Sequence, residues 1–526
     1  MCEAFQATAA ERPEEVALRT KDDAARVTWG AYADRVRRLA AGLHALGVRR
    51  GDTVALMLTN RPEFHLVDTA AMHLGAVPFS MYNTSSPTQV EFFVRDSGAR
   101  LAIVEEGFRD RVAAERVLTL EQLGEIESAG EGADLDFDAA WRGVEPGDLL
   151  TLIYTSGTTG DPKAVQITHR NMIAAGTSYD ELIGFPRGGR IVSYLPMAHI
   201  AERNCSQYYP MLFGLQVTCC PDARQVAAYF PEVRPSWFFA VPRIFEKLQA
   251  AILAGADAAL HEAIDRGLAR VRGEDGPEPD EAQLAGLRER LGLDHLEALN
   301  VGAAPTPPEV IEFFHAIGLP LGELWGMSET TGLGACNPPE RPRIGTVGPP
   351  APGVEIRLAE DGEIEVRGGC VTPGYRNRPD LTAEAFTDDG WLRTGDVGSF
   401  DEDGYLSIVD RKKELIINAA GKNMSPSNIE SRLKASSPLI GSAVAIGDRR
   451  PYNVALVVLD PDGAAVFARQ AGLGERSVEQ IKRFRVLPTE WQPGGDELTP
   501  TMKLKRKPIA ERYAAEIEEL YAKARA

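Results

Sequence analysis

Tyr32, Val36, Leu39, Leu43 and Leu46 recur at three- to four-residue spacing, and Gly47 follows them. That spacing predicts one apolar helix face closed by a glycine C-cap. Short apolar runs at 53–58, 77–82 and 100–104 predict strands, and the segments 61–74 and 87–96 between them predict helices. Strand and helix therefore alternate from the start, the rhythm of a parallel sheet covered by helices. Residues 243–298 are rich in Ala, Glu and Arg and read as helical, broken by an exposed loop at 273–280. Residues 346–409 read as short strands between Gly and Pro turns, a small β-rich subdomain. After Asp410 the character changes, with strands expected at 414–418, 442–447 and 453–459, helices at 426–434 and 475–485, and a closing helix. A segment of about 115 residues of this kind makes a small α+β domain of ordinary size.

An acidic connector, 131–138, leads to the segment with the strongest chemical character. Apolar residues 149–153 enter it and 164–167 leave it, which predicts a hairpin-like cradle. Between them stand Thr155, Ser156, Gly157, Thr158, Thr159, Gly160 and Lys163. Glycines let backbone N–H groups turn toward an anion, hydroxyls add donors, and the lysine adds charge. Those are the requirements of a polyphosphate. The spacing is neither that of a Walker A loop nor Gly-x-Gly-x-x-Gly.

Composition narrows the class. At 526 residues the chain is too long for one simple domain. Its net charge of −19, from 57 basic and 76 acidic side chains, argues against nonspecific nucleic-acid binding. Six cysteines, at 2, 205, 219, 220, 336 and 370, contain no Cys-x-x-Cys. They suit a reducing cytoplasm and indicate neither a zinc site nor a disulfide framework. The N-terminus lacks the basic-then-apolar pattern of a signal peptide. No run approaches the ~18 apolar residues of a membrane span. The expected setting is cytoplasmic, with a lipid-like substrate met in solution or at a membrane surface.

The 154–163 segment closely resembles the phosphate-binding signature of the acyl-adenylate-forming superfamily, which holds acyl-CoA synthetases, the adenylation domains of peptide synthetases, and firefly luciferase. The resemblance covers nearly the whole chain and is greatest to long-chain fatty acyl-CoA synthetases. It implies an α/β fold with a large N-terminal AMP-binding domain, 1–410, and a small mobile α+β domain, 411–526. It implies that Thr155, Ser156, Gly157, Thr158, Thr159 and Lys163 hold the nucleotide phosphates. Gly302, Ala303 and Ala304, after Asn300 and Val301, match the segment that lines the adenine pocket and the acyl tunnel. In the string Trp325-Gly326-Met327-Ser328-Glu329-Thr330 the resemblance has Trp325 stack on adenine and Thr330 bond the α-phosphate. Glu329 is the implied ligand of Mg²⁺, a hard cation that prefers oxygen.

Further matches follow along the chain. Asp396, closing Arg393-Thr394-Gly395-Asp396, is implied to accept from both ribose hydroxyls, a task two carboxylate oxygens can perform. Arg411 is implied to reach the same ribose, and Asp410 is the implied hinge. Gly421 and Lys422 match the segment that lines the coenzyme A tunnel. Lys503 matches the lysine that contacts the reacting carboxylate and the α-phosphate, with Lys505 as the alternative. His199, in Ala198-His199-Ile200-Ala201-Glu202-Arg203, is implied to position the carboxylate; a carboxylate nucleophile needs no general base.

The implied reaction converts ATP, Mg²⁺, a long-chain fatty acid and coenzyme A, through acyl-AMP, to acyl-CoA, AMP and pyrophosphate. Three alternatives stand beside it. One is an acyl-AMP ligase that loads a carrier protein, disfavoured by the compact span 330–396. Another is a coenzyme A ligase for a bulky natural-product acid. The third is a nucleotide-binding regulator without catalysis, disfavoured because Glu329, Asp396, Arg411 and Lys503 are all present.

Overall fold

Parallel pairing organises most of the chain. The computed structural model describes all residues except 156–161, 418–422, 436, 438, 451, 460–480, 490, 493, 500–502 and 523–526. Strands Thr53–Met57, Val77–Ser80, Leu101–Val104 and Arg116–Thr119 form an all-parallel sheet with the first two adjacent. The first three strands are buried along their whole length, as parallel strands covered on both faces must be. Helices Pro62–His73 and Pro87–Ser97 make the crossovers. The second opens on a Ser86–Gln89 capping box and closes on Gly98 at φ 72°. The helix expected from the Tyr32–Leu46 pattern spans Trp29–Ala45.

A second sheet joins Trp237–Ala240, Ala298–Val301 and Leu321–Trp325 in parallel, with Ala335–Cys336 antiparallel on its edge. A third joins Arg190–Ser193, Gln216–Cys219 and Val16–Thr20 in parallel. The Ala/Glu/Arg-rich region forms helices Pro242–Gly255, Ala258–Val271 and Glu281–Leu291. Strands Val354–Leu358, Glu363–Gly368, Leu392–Phe400 and Leu406–Arg411 build the β-rich part as an antiparallel meander. Beyond it, Ile440–Ile446, Asn453–Leu459 and Ile481–Leu487 form a small sheet packed with helices Pro426–Ala435, Arg506–Arg512 and Ala514–Ala522. This is the expected α/β plan, with a small α+β unit at the C-terminal end. Among the described residues no helix is long and apolar enough to cross a membrane.

One expected element is corrected. Of the helix expected at 475–485, residues 475–480 lie outside the described residues, and Ile481–Leu487 is a strand. It pairs in parallel with Asn453–Leu459, whose open edge supplies a ladder that no local pattern announces. Short helices that went unpredicted include Phe137–Arg142 at the end of the acidic connector and Pro379–Ala385 within the β-rich part.

A buried ion pair ties the core together. Arg203 opens a π-helical turn, Arg203–Tyr208, and its guanidinium donates to Asp68 at 2.6 Å with both side chains fully buried. Gln207 donates to the other Asp68 oxygen at 3.0 Å. Removing one partner of such a pair strands a buried charge, which costs about 3–5 kcal/mol. Asp68→Ala is therefore expected to lower the urea midpoint by the equivalent of that loss, whereas exchanging exposed Asp110 for Ala leaves the midpoint in place.

Candidate active site

Strands Leu149–Thr155 and Lys163–Thr168 form the antiparallel cradle, with Thr155 opposite Lys163 at its mouth. Ser156, Gly157, Thr158 and Thr159 lie outside the described residues. A third chain segment lies along the cradle: the Gln166 N–H donates to the Gly374 carbonyl at 3.1 Å and the Arg376 N–H to the Ala164 carbonyl at 2.9 Å. This docking brings Tyr375 beneath Lys163, whose ammonium sits 4.9 Å from the ring centre. The Tyr375 hydroxyl donates to Glu329 Oε1 at 2.8 Å. Lys163, Tyr375 and Glu329 thus form one continuous line. Tyr375 was missed from sequence; its signal is a Tyr-Arg pair directly after a Pro-Gly turn.

The parallel strands Ala298–Val301 and Leu321–Trp325 end side by side, and the turns beyond their C-terminal ends open on the same side, where ligands of such sheets bind. A Cβ on Gly302 would stand 2.8 Å from the Leu324 carbonyl, so only glycine lets the two turns approach. Ala303 follows at φ 68°, half-buried, and Ala304 is exposed. Glu323 lies behind this turn and accepts from the Thr306 N–H at 3.4 Å. Burial pushes its carboxyl up to about 7. A Cβ on Gly326 would collide with the Gly332 carbonyl, so the loop carrying Glu329 folds back tightly on itself. Thr330 is fully buried, and its hydroxyl caps the Met327 backbone. A bond from it to phosphate requires exchanging one of these contacts.

Asp396 and Arg411 face one another across the antiparallel meander. Arg411 Nε stands 2.7 Å from Asp396 Oδ1, and Trp325 Nε1 donates to Asp396 Oδ2 at 2.9 Å. Each carboxylate oxygen keeps a second lone pair for a further donor. Asp410, next in chain to Arg411, is buried and accepts from Ser425 Oγ at 2.6 Å and from the Ser427 N–H at 3.0 Å. It therefore caps the start of helix Pro426–Ala435 and ties that helix to the meander. Gly421 and Lys422 lie outside the described residues.

The C-terminal part closes over this cleft. Lys434 pairs with Glu246 of helix Pro242–Gly255 at 3.4 Å. Lys505 spends its ammonium on the Gly495 carbonyl at 2.7 Å. Among the described residues no partner anchors the Lys503 ammonium, which is open to water and crowded by neighbouring groups. That crowding, with Arg411, draws its ammonium below the usual lysine range, against the opposing charges of Asp396, Glu329 and Glu414. Lys503 thus shares an electrostatic neighbourhood with Glu329, Asp396 and Arg411, all well before it in the chain.

His199 sits at the start of the short helix Ile200–Glu202, its Nδ1 accepting from the Ala201 N–H at 3.2 Å. Burial, then the charge of Lys503, pulls its pKa down to about 3. The imidazole is therefore neutral at working pH. Between pH 5 and 8 the rate of acid activation is expected to show no limb from His199, so a His199→Gln variant should keep the wild-type profile shape. A limb lost in that variant would assign His199 a proton-transfer role. Glu202, beside it, is buried and accepts from Ser193, Ser206, Asn60 and the Leu195 N–H. Burial outweighs these bonds and raises its carboxyl to about 7.

Comparison with known proteins bears on this cleft. The model of the AMP-binding enzyme family matches residues 5–376, and that of the AMP-binding enzyme C-terminal domain matches 413–525. The chain belongs to the AMP-binding enzyme family. A Mycobacterium tuberculosis relative, fadD11, is 47% identical over 446 residues, covering 76% of this chain and 78% of its own; its name assigns it provisionally to the fatty-acid–CoA ligases. The long-chain-fatty-acid–CoA ligase FadD15 of Mycobacterium bovis is 36% identical, covering 94% of this chain and 92% of its own. Among solved structures, the o-succinylbenzoate CoA synthetase of Bacillus subtilis with its acyl-adenylate intermediate superposes at a TM-score of 0.75. It is 25% identical and covers 96% of this chain and 97% of its own. The family member described here is thereby an enzyme of the AMP-forming acyl-CoA ligase type.

Proposed function

We propose that the chain is an ATP-dependent ligase that joins a long-chain fatty acid to coenzyme A through an acyl-adenylate. The observation that carries this reading is the cluster of Trp325, Asp396 and Arg411, with Lys503 in electrostatic reach of it and of Glu329. Two anions, a carboxylate and an α-phosphate, must meet there, and a site for that encounter has to neutralise charge. Lys503 supplies a movable positive charge, and Lys163 supplies a fixed one at the cradle. Trp325 offers a flat apolar face for adenine, while Asp396 and Arg411 hold the ribose.

Glu329 suits Mg²⁺. Its carboxylate is buried, is oriented by one neutral hydroxyl, and forms no ion pair among the described residues. Mg²⁺ usually takes one or two protein carboxylates and completes its shell with phosphate and water. When bound it lowers the repulsion between the phosphates and the incoming carboxylate.

In the first half-reaction a carboxylate oxygen bonds to the α-phosphorus, and the bond from that phosphorus to the pyrophosphate oxygen breaks. His199, neutral, orients the carboxylate and takes no proton. In the second, the coenzyme A sulfur bonds to the acyl carbon, the bond from that carbon to the AMP phosphate oxygen breaks, the thiol proton passes to water, and AMP leaves. The proposed division falls at Asp410, with 1–410 as the nucleotide-binding part and 411–526 as the part that turns. Such a rotation exchanges the Asp410–Ser425 and Lys434–Glu246 contacts and removes Lys503 from the cleft, the way one site serves two chemistries.

Long-chain preference rests on the names of the relatives. A structural neighbour named for o-succinylbenzoate sets the contrast. The deciding assay is pyrophosphate release with ATP and Mg²⁺ across short, long and aromatic acids, with and without coenzyme A. Turnover that peaks at long acids and requires coenzyme A is the expected result. A peak at aromatic acids would replace the fatty acid, and no gain from coenzyme A would replace the thiol.

A further inference from the structure

Asn204 directly follows the motif that holds His199 and Glu202 and lies in the π-helical turn Arg203–Tyr208, buried. Its Nδ2 donates to the Thr331 carbonyl at 2.7 Å. Tyr179, on helix His169–Ile183, donates its hydroxyl to the Gly332 carbonyl at 2.9 Å. Both carbonyls belong to the loop that carries Glu329. Within that loop the Thr330 and Gly332 N–H groups converge on the Met327 carbonyl, at 3.1 and 2.8 Å. Thr331 stands at φ 55°, a left-handed conformation that a β-branched residue keeps only where its surroundings impose it.

The imposing contacts come from outside the loop. Thr331 Oγ1 donates to the Cys370 carbonyl at 2.6 Å, Asn204 holds the Thr331 carbonyl, and Tyr179 holds the next one. Among the described residues Glu329 itself is held by the Thr372 N–H on its carbonyl and by Tyr375 on its carboxylate. Its aim therefore follows the backbone just after it.

The geometry points to Asn204 as a positioning residue for Mg²⁺–ATP: it clamps Thr331 and so sets the direction of the Glu329 carboxylate, with Tyr179 as the second point of the clamp. The inference rests on the ligase reading for the identity of the ligand. It also joins the motif that holds His199 to the loop that holds Glu329, through one side chain.

The test uses the full chain and two variants. Asn204→Leu keeps the volume and removes the donor; Tyr179→Phe removes one hydroxyl and serves if the first variant does not fold. ATP affinity is measured by calorimetry with and without Mg²⁺. The Mg²⁺-dependent gain in affinity is expected to shrink about tenfold in Asn204→Leu and about threefold in Tyr179→Phe, the scale of one lost buried hydrogen bond. The KM for the acid, and thioester formation at saturating acyl-AMP, are expected to stay within about twofold, because neither uses the lost bond. An unchanged Mg²⁺ gain in both variants, or equal loss in both half-reactions, overturns the clamp. A wild-type protein that binds Mg²⁺–ATP but activates no acid would overturn the ligase reading instead, and the affinity measurement would still decide the clamp.

Discussion

Lys503→Ala is expected to slow acyl-AMP formation by about 10²- to 10³-fold, the scale of removing one preorganised donor from developing charge. Thioester formation from supplied acyl-AMP and coenzyme A should remain within about twofold, since that step needs the cleft without Lys503. Pyrophosphate release reports the first rate and acyl-CoA appearance the second. The split is the informative quantity. A folding defect or a misplaced C-terminal part would depress both steps together, and that result would remove Lys503 from its role. Lys505→Ala provides the internal comparison. Its ammonium is bound to the Gly495 carbonyl, so its loss should not separate the two half-reactions.

Asp396→Ala carries the next largest effect. The carboxylate is the shared acceptor of the Trp325 indole N–H and the Arg411 guanidinium, and it lies buried. Its removal frees both donors and deletes the acceptor proposed for the ribose. Hydrogen bonds that involve a charged group contribute about 1.5–3 kcal/mol. Loss of kcat/KM for ATP should reach about 100-fold, equivalent to ~2.7 kcal/mol. Asp396→Asn keeps one acceptor oxygen and should fall less. ATP titration by calorimetry, beside the ATP dependence of the rate, checks both. Undiminished ATP affinity in Asp396→Ala would place the ribose elsewhere.

The hairpin around residues 156–161 was legible in the sequence. An apolar run on each side of a Gly/Ser/Thr loop specifies a hairpin, and Leu149–Thr155 pairs with Lys163–Thr168 accordingly. The crossovers around Thr53–Met57 were equally plain, because strands covered on both faces must be almost wholly apolar. Strand Ile481–Leu487 was misread, since its stability comes from an edge formed by residues 453–459. Local periodicity cannot report a distant hydrogen-bonding partner.

The same distinction separates the site residues. Trp325, Glu329, Asp396 and Arg411 stand in contiguous strings that resemble family motifs, and that resemblance nominated them. Tyr375 and Asn204 bond to Glu329 and Thr331, residues far off in the chain, and no local pattern names those partners. Lys503 and Lys505 carry the same charge in the same short run. Around the bridge between Leu498 and Leu504 the Lys505 ammonium turns back to the Gly495 carbonyl, which is why Lys503 is the lysine proposed for the cleft. Sequence by itself determined the kinds of chemistry present and the order of the elements, because periodicity and turn chemistry are local properties. The tertiary structure alone decided which charges meet, because electrostatic encounters depend on distances that folding creates.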